Sequence, residues 1–168
     1  MAGVASEPII RACGEADHAV IHHIINGAAE AYRGVIPPDC WHEPYMSLAD
    51  VRRDIAAGVA FWGRESDGML MGIMGMQRVD DVDLIRHAYV RPEHQRSGTG
   101  AALMAHLHLQ TSRPMLVGTW AAANWAIRFY QRHGFELVAA DETPALLRRY
   151  WSVPDRQVET SVVLRRDQ

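Results

Sequence analysis

The segment Gln95-Arg96-Ser97-Gly98-Thr99-Gly100 combines residue types that can bind an anion through the backbone. An alternating apolar run over residues 82–90 predicts a strand before it, and the spacing of Leu103, Met104 and Leu107 predicts a helix after it. At a helix N-terminus several N–H groups lack a helical partner, and the helix dipole adds partial positive charge. Two glycines would let a phosphate approach closely, and Arg96 would supply a countercharge. A plain turn containing two glycines is the alternative.

Two common phosphate-binding loops do not fit this segment. No Gly-Lys-Ser/Thr sequence follows it, which excludes a Walker A loop. Leu103 occupies the position of the third glycine in the dinucleotide-binding fingerprint, which excludes that loop as well.

The rest of the chain predicts a mixed sheet with helices on its faces. A strand, a glycine loop with its helix and a second strand form a βαβ unit, so strands 82–90 and 115–118 should be parallel. Strict alternation along 82–90 places Asp83, Ile85, His87 and Tyr89 on one face. Further strands are predicted at 8–11, 59–64, 69–79, 135–138 and 160–164, and further helices begin near Asp17, Ser47, Asn124 and Thr143.

A second segment, Ala126-Ile127-Arg128-Phe129-Tyr130-Gln131-Arg132-His133-Gly134-Phe135, lies one predicted strand after the glycine loop. Together the two segments resemble the GNAT superfamily of N-acetyltransferases, whose motifs are Arg/Gln-x-x-Gly-x-Gly/Ala and Ala-x-x-x-Tyr-x-x-x-Gly-Phe. The resemblance implies the α/β GNAT acyl-CoA N-acyltransferase fold, a mixed sheet of about seven strands with helices on both faces. It also implies a single domain over residues 1–168.

The resemblance implies acetyl-CoA as co-substrate. The pyrophosphate would bind the amides of the glycine loop, and the pantetheine arm would pair with the backbone near Val90. The family often carries Asn at the position of Ala123, whereas here Asn follows one residue later. The implied cofactor-binding residues are Ala88, Tyr89, Val90, Gln95, Arg96, Ser97, Gly98, Thr99, Gly100, Ala101, Asn124 and Phe129.

Acetyl transfer needs a neutral amine, stabilisation of an oxyanion and a proton for the departing thiolate. By resemblance Tyr130 is the general acid, since a phenol with pKa about 10 can protonate a thiolate of similar basicity. A buried structural tyrosine is the alternative. For the general base we favour His87, which lies nearer the cofactor end of its strand than Asp83 does. His42 and Glu43 are rivals, and an amine of low pKa would need no base.

A loop rich in aromatic residues, 35–46, separates the first two predicted helices. Trp41 and Tyr45 of this loop, with Trp62, are candidates for the apolar walls of an acceptor site, because loops often carry binding residues. The alternative is a packed loop anchored by the same side chains.

Composition excludes several classes of protein. Lys and Arg total 17 against 20 Asp and Glu, which argues against a general nucleic-acid or membrane-surface binder. No apolar run reaches membrane-spanning length. His18 and His22 could share a helix face, but no ligand set completes a metal site, so none is predicted. Cys13 and Cys40 lack metal-ligand spacing and follow no secretory signal, so we expect a reduced, cytoplasmic protein.

The predicted function is transfer of acetyl from acetyl-CoA to a primary amine of an unidentified small molecule. An amine of a protein or peptide is the alternative acceptor. A non-catalytic acyl-CoA-binding sensor is the rival from a different class, and it would not need Tyr130. A homodimer formed through residues 146–151 is a further expectation.

Overall fold

A computed structural model describes residues 3–168 of the chain as one seven-stranded mixed sheet. The strands are β1 (Ile9–Ala12), β2 (Ala60–Ser66), β3 (Met69–Val79), β4 (Val82–Val90), β5 (Met115–Trp120), β6 (Glu136–Leu137) and β7 (Ser161–Arg166). Their spatial order is β1-β2-β3-β4-β5-β7-β6. All neighbours are antiparallel except β4 and β5, which are parallel as the βαβ pattern predicts.

Helices cover both faces of the sheet. On one face, the third and fourth helices pack on β3, β4, β5 and β7; on the other lie the first, second and fifth. Within residues 3–168 no helix is long and apolar enough to cross a bilayer. The helices are α1 (His18–Ala29), α2 (Leu48–Ala56), α3 (Thr99–His108), α4 (Asn124–Arg132), α5 (Thr143–Tyr150) and α6 (Asp155–Glu159).

Local signals explain most element boundaries. Asp67 and Gly68 both have positive φ, 51° and 78°, as a tight β2–β3 hairpin requires. Ser47 Oγ accepts a hydrogen bond from the Asp50 N–H at 3.1 Å, and this capping box starts α2. At the end of α4, Gly134 has φ 86° and the Phe135 N–H donates to the Tyr130 carbonyl at 3.1 Å, as in a Schellman motif.

The prediction of a seven-stranded mixed sheet with helices on both faces is confirmed. Differences are local: β5 extends two residues beyond the predicted strand, and the short helix α6 was not predicted. Residues Leu147 and Tyr150 of the segment expected at a dimer interface are buried in this chain's own core. The dimer therefore stays a prediction, and its interface would have to use the remaining side chains of residues 146–151.

A β-bulge in β4 overturns the predicted alternation of that strand. Ile73 pairs with Tyr89 and Gly75 pairs with Arg86, so β4 carries one extra residue opposite Met74. The bulge consists of His87, which has φ 53°, and Ala88. The added residue reverses the side of the sheet on which the following side chains lie. Ile85 packs on the α3 face, whereas His87 and Tyr89 lie on the α1–α2 face. The prediction of one shared face was wrong for this reason.

Beyond the bulge, β4 and β5 separate. The two strands pair only from Asp83 with Met115 to Ile85 with Val117. No strand pairing joins residues 86–90 to residues 118–120 in the described chain. The free strand edges therefore border a V-shaped opening that runs through the sheet, and the candidate site is built around it.

Candidate active site

The glycine loop supplies a run of free backbone donors at the start of α3. Gly98, the N-cap residue, has φ 79°, and Arg96 has φ 61°. The Gln95 N–H donates to the Pro92 carbonyl at 3.3 Å, and the Ala102 N–H donates to the Gly98 carbonyl at 2.9 Å. Between these bonds, the N–H groups of residues 96–101 find no acceptor in the described part of the chain. Six consecutive donors are thus available, and Gln95, predicted as a seventh, is already used.

The packing beneath the loop fixes its backbone. Thr99 is 1 % exposed, and its hydroxyl lies 2.9 Å from the Ser97 hydroxyl and 3.3 Å from the Arg64 guanidinium. A Cβ on Gly72 would come within 2.9 Å of the Thr99 methyl group, so β3 needs glycine there. A Cβ on Gly100 would lie 3.2 Å from the Phe129 ring. The side chains of the loop therefore hold its shape, and the main chain remains for a ligand.

The start of α4 lies across the opening from the end of β4. Asn124 is the first helical residue and Ala123 is the N-cap, so α4 begins where the sequence predicts. The Asn124 side chain is exposed and free of protein hydrogen bonds among the described residues. Residues Ala88, Tyr89 and Val90 form the unpaired edge of β4 that the sequence predicts for the pantetheine arm.

Tyr130 lies in the core on the α3–α4 face. Its ring is 6 % exposed and makes edge contacts with Phe129 and Phe135 at centroid distances of 5.2 and 5.7 Å. No hydrogen bond to its hydroxyl is present within residues 3–168. Burial raises the pKa of Tyr130 well above its ordinary value, so the hydroxyl keeps its proton at neutral pH.

A cleft of about 1170 Å³ opens on the other face of the sheet. One wall is α2 with the loop before it, and the other is α5 with the segment that leads into α6. Tyr45 accepts a hydrogen bond from Trp120 Nε1 at 2.8 Å, which ties the loop to β5. Trp62, predicted as a wall, instead packs on His106 at 4.4 Å on the opposite face. The aromatic residues that do line the cleft are Tyr32, Tyr45, Tyr89, Trp120, Tyr150 and Trp151.

The bulge brings His87 into this cleft beside a carboxylate. His87 Nε2 lies 2.7 Å from Asp54 Oδ2, and the two side chains are 18 % and 15 % exposed. Burial lowers the pKa of His87 and the Asp54 contact opposes it only in part, so the imidazole is neutral at neutral pH. Burial raises the pKa of Asp54, but the hydrogen bond from His87 and the charge of Arg86 outweigh it, and the net pKa is lowered.

Comparison with known proteins identifies this arrangement. Residues 57–137 match the family model described as an acetyltransferase (GNAT) domain, and this range holds β2 to β6 and both sequence motifs. Over these residues the chain is similar to a GNAT acetyltransferase domain. The resemblance on which the sequence prediction depends is thereby confirmed.

Solved structures share the fold of this chain at low sequence identity. The PaiA N-acetyltransferase of Thermoplasma acidophilum, crystallised with coenzyme A, has a TM-score of 0.71 at 14 % identity, over 97 % of this chain and 100 % of that one. The ribosomal-protein-S18-alanine N-acetyltransferase of Escherichia coli has a TM-score of 0.68 at 17 % identity, over 95 % and 93 %. YncA of Salmonella typhimurium, a putative acetyltransferase solved with acetyl-CoA, has a TM-score of 0.59 at 24 % identity, over 80 % and 82 %.

The rival candidates for the general base lie in other surroundings. Asp83 is 1 % exposed at the start of β4, 3.3 Å from Arg113 and 3.6 Å from Arg78, and it does not line the cleft. Glu43 is exposed outside the cleft and is paired with Arg33. His42 lines the cleft at an exposed position. His87 alone of the four candidates combines burial, a carboxylate partner and a place in the cleft.

Asp54 is the residue that sequence reasoning missed. It follows Val51, which is fully buried, by three positions, so it lies beside the apolar stripe of α2. That position is a weak signal of an inward-facing carboxylate. The contact with His87 joins residues 33 positions apart and depends on the bulge, which the sequence does not reveal.

Proposed function

We propose that this protein is an acetyl-CoA-dependent N-acetyltransferase that acts on a primary amine of a small molecule. The observation that carries the proposal is the opening between β4 and β5. The free amides of residues 96–101 lie beyond the end of β4, on the α3–α4 side of the sheet. The cleft lies at the same opening on the other side of the sheet. A cofactor arm and an acceptor could thus meet between the strands.

The residues of the loop fit a coenzyme A pyrophosphate. Six backbone donors and the N-terminus of α3 favour a multiply charged anion, and the exposed Arg96 adds a mobile positive charge. The Cβ position of Gly98 has no heavy atom within 4 Å, which leaves room for a bulky group. The same groups are the ones predicted from the sequence, apart from Gln95. The PaiA and YncA structures contain coenzyme A and acetyl-CoA, which supports the same ligand here.

The side chains at the opening suit acetyl transfer. Bound acetyl-CoA would supply the activated thioester. The neutral imidazole of His87 can take a proton from the acceptor amine on the cleft side. The Tyr130 hydroxyl, on the α3–α4 face, holds the proton that a departing thiolate needs. Acid and base would thus work from opposite faces of the sheet.

The shape of the cleft favours a small acceptor over a protein. Arg156 of α6 makes two hydrogen bonds to the Asp39 carboxylate, at 2.8 and 3.2 Å, and both residues line the cleft. This ion pair joins the two walls, so an extended peptide would have to separate them. The aromatic lining suits an amine with an apolar body.

Thermal unfolding with acetyl-CoA, followed by an amine screen, tests the proposal. A ligand that binds only the folded protein must raise its melting temperature. We expect acetyl-CoA and free coenzyme A to raise it, and a small primary amine to cause release of free thiol. Stabilisation without thiol release from any small amine or peptide amine would favour the acyl-CoA sensor instead. Release of free thiol with peptides alone would favour the alternative function, a protein or peptide acetyltransferase.

A further inference from the structure

The pair formed by His87 and Asp54 is part of a larger buried network. Arg86 Nη2 donates to the same Asp54 Oδ2 at 3.2 Å, and Arg86 Nη1 donates to Gln77 Oε1 at 2.7 Å. Arg86 of β4 therefore holds the Asp54 carboxylate of α2 in place, while the same carboxylate contacts His87, the next residue of β4. Such a doubly bonded carboxylate has little freedom to turn away from the imidazole.

The chemistry of the contact decides which imidazole nitrogen carries the proton. An ionised carboxylate can only accept hydrogen bonds, so the neutral imidazole must donate from Nε2. The lone pair then belongs to Nδ1, and only that nitrogen can accept a proton. A neighbouring acceptor of this kind is the usual device by which a histidine is held in one tautomer and orientation.

We propose that Asp54 is a positioning residue that holds His87 in the Nε2–H tautomer and leaves Nδ1 to accept the proton of the acceptor amine. The inference rests on the proposed acetyltransferase function. Asp54 itself need not touch the substrate, since it acts through the imidazole.

The other charged groups around His87 do not replace Asp54. On α2, Arg53 lies 4.0 Å from Asp54 Oδ1 and is paired with Asp50 at 2.8 Å. On β2 the neighbour is the uncharged ring of Phe61, stacked at 6.0 Å. The remaining groups with charge or a titratable proton that line the same cleft are Asp39, Cys40, His42, Tyr32, Tyr45, Tyr89, Tyr150 and Arg156.

A structural alternative is that the pair only ties α2 to β4. The two roles differ in a measurable way: the hydrogen bond of a tie needs the same Nε2–H tautomer, but a tie does not set the protonation of a base. The pH dependence of turnover therefore separates them, whereas the tautomer and a loss of stability would not.

The first arm of the experiment measures the tautomer in the wild-type protein. Histidine labelled with ¹⁵N reports the protonation of each ring nitrogen of His87 by NMR, and it needs neither an acceptor nor a variant. We expect the proton on Nε2 at neutral pH. A proton on Nδ1, or an even mixture of tautomers, would overturn the proposal.

The second arm measures kcat/KM against pH with the best amine from the screen. Asp54→Asn should lose about tenfold or more in kcat/KM at the plateau, because a misdirected base forfeits part of the ~10²–10⁴-fold of general-base catalysis. The acidic limb should also move to lower pH, because the imidazole loses the negative charge that favours its protonation. An unmoved acidic limb would overturn the proposal even where the rate falls.

Two further variants guard the interpretation. Asp67→Asn makes the same change in the β2–β3 hairpin, at an exposed residue that contacts Ser6. This variant should keep the wild-type plateau kcat/KM and the wild-type position of the acidic limb. Asp54→Glu keeps the carboxylate and should recover more activity than Asp54→Asn. If wild-type protein releases no thiol with any amine, the proposed function fails and His87 loses its role as base. The tautomer measurement would then still decide the Asp54 contact by itself.

Discussion

At the scale of single residues, Tyr130 and His87 lie on opposite faces of the sheet and in different surroundings. Tyr130 is enclosed by Phe129 and Phe135, and its hydroxyl has no protein partner within residues 3–168. The hydroxyl oxygen is not among the fully buried side-chain atoms that lack a partner in the described chain, so it remains open to contact by a ligand. The proposed role as general acid gives this hydroxyl a partner during the reaction.

Tyr130→Phe tests that role at the same scale. The substitution removes one oxygen that makes no protein hydrogen bond, so we expect the stability of the free protein to change little. Amine-dependent thiol release should fall about 10²-fold or more, as expected for the loss of a general acid. Acetyl-CoA should still raise the melting temperature. Full activity in Tyr130→Phe would exclude the tyrosine as the acid.

At the scale of elements, the loop before α3 binds through its main chain. The hydroxyls of Ser97 and Thr99 hydrogen-bond to each other, and Gly98 takes a backbone conformation that other residues adopt with strain. A change of side chain should therefore matter less for cofactor binding than the loss of a donor amide.

Ala101→Pro removes one of these amides. The exposed Ala101 is the third residue of α3, and its N–H has no helical acceptor, so proline there breaks no helical hydrogen bond. We expect the free protein to stay folded, with a smaller rise in melting temperature on addition of acetyl-CoA. Ala49→Pro, at the second residue of α2 and also exposed, is the matched control and should keep the full rise. An equal rise in both variants would contradict the anion site.

At the scale of the whole molecule, several partly buried histidines couple stability to pH. Burial lowers the pKa of His87, lowers that of His133 beside Arg132, and lowers the pKa of His108 to about 4. In the unfolded chain each would titrate near pH 6.5. Below that pH the unfolded chain binds more protons than the folded one, so the free energy of unfolding must fall as the solution becomes more acidic.

Urea unfolding between pH 8 and pH 5 measures this dependence. We expect stability to be roughly constant above pH 7 and to decline steadily below about pH 6.5. His108→Gln should make the decline shallower, because it removes one of the three groups. His23→Gln, at an exposed position of α1, is the control and should leave the slope unchanged. A slope that is the same in both variants would show that His108 does not contribute.

Local sequence signals determined most of the secondary structure and the cofactor loop. The predicted bounds 69–79 and 82–90 match those of β3 and β4, because strand periodicity and turn residues act between near neighbours. Gly98 of the loop and Gly134 after α4 mark their positions by a backbone geometry that other residues avoid. The match to a GNAT acetyltransferase domain over residues 57–137 includes the two motifs, whose residues are also close in sequence.

Only the tertiary structure decided the acceptor side. The bulge at His87, the separation of β4 from β5 and the contact with Asp54 all depend on pairing between segments far apart in the chain. Trp62, predicted in the acceptor site, lies on the opposite face because a strand residue takes whichever side its register sets. Sequence periodicity cannot reveal one inserted residue in a strand, since the shift exists only relative to the neighbouring strand.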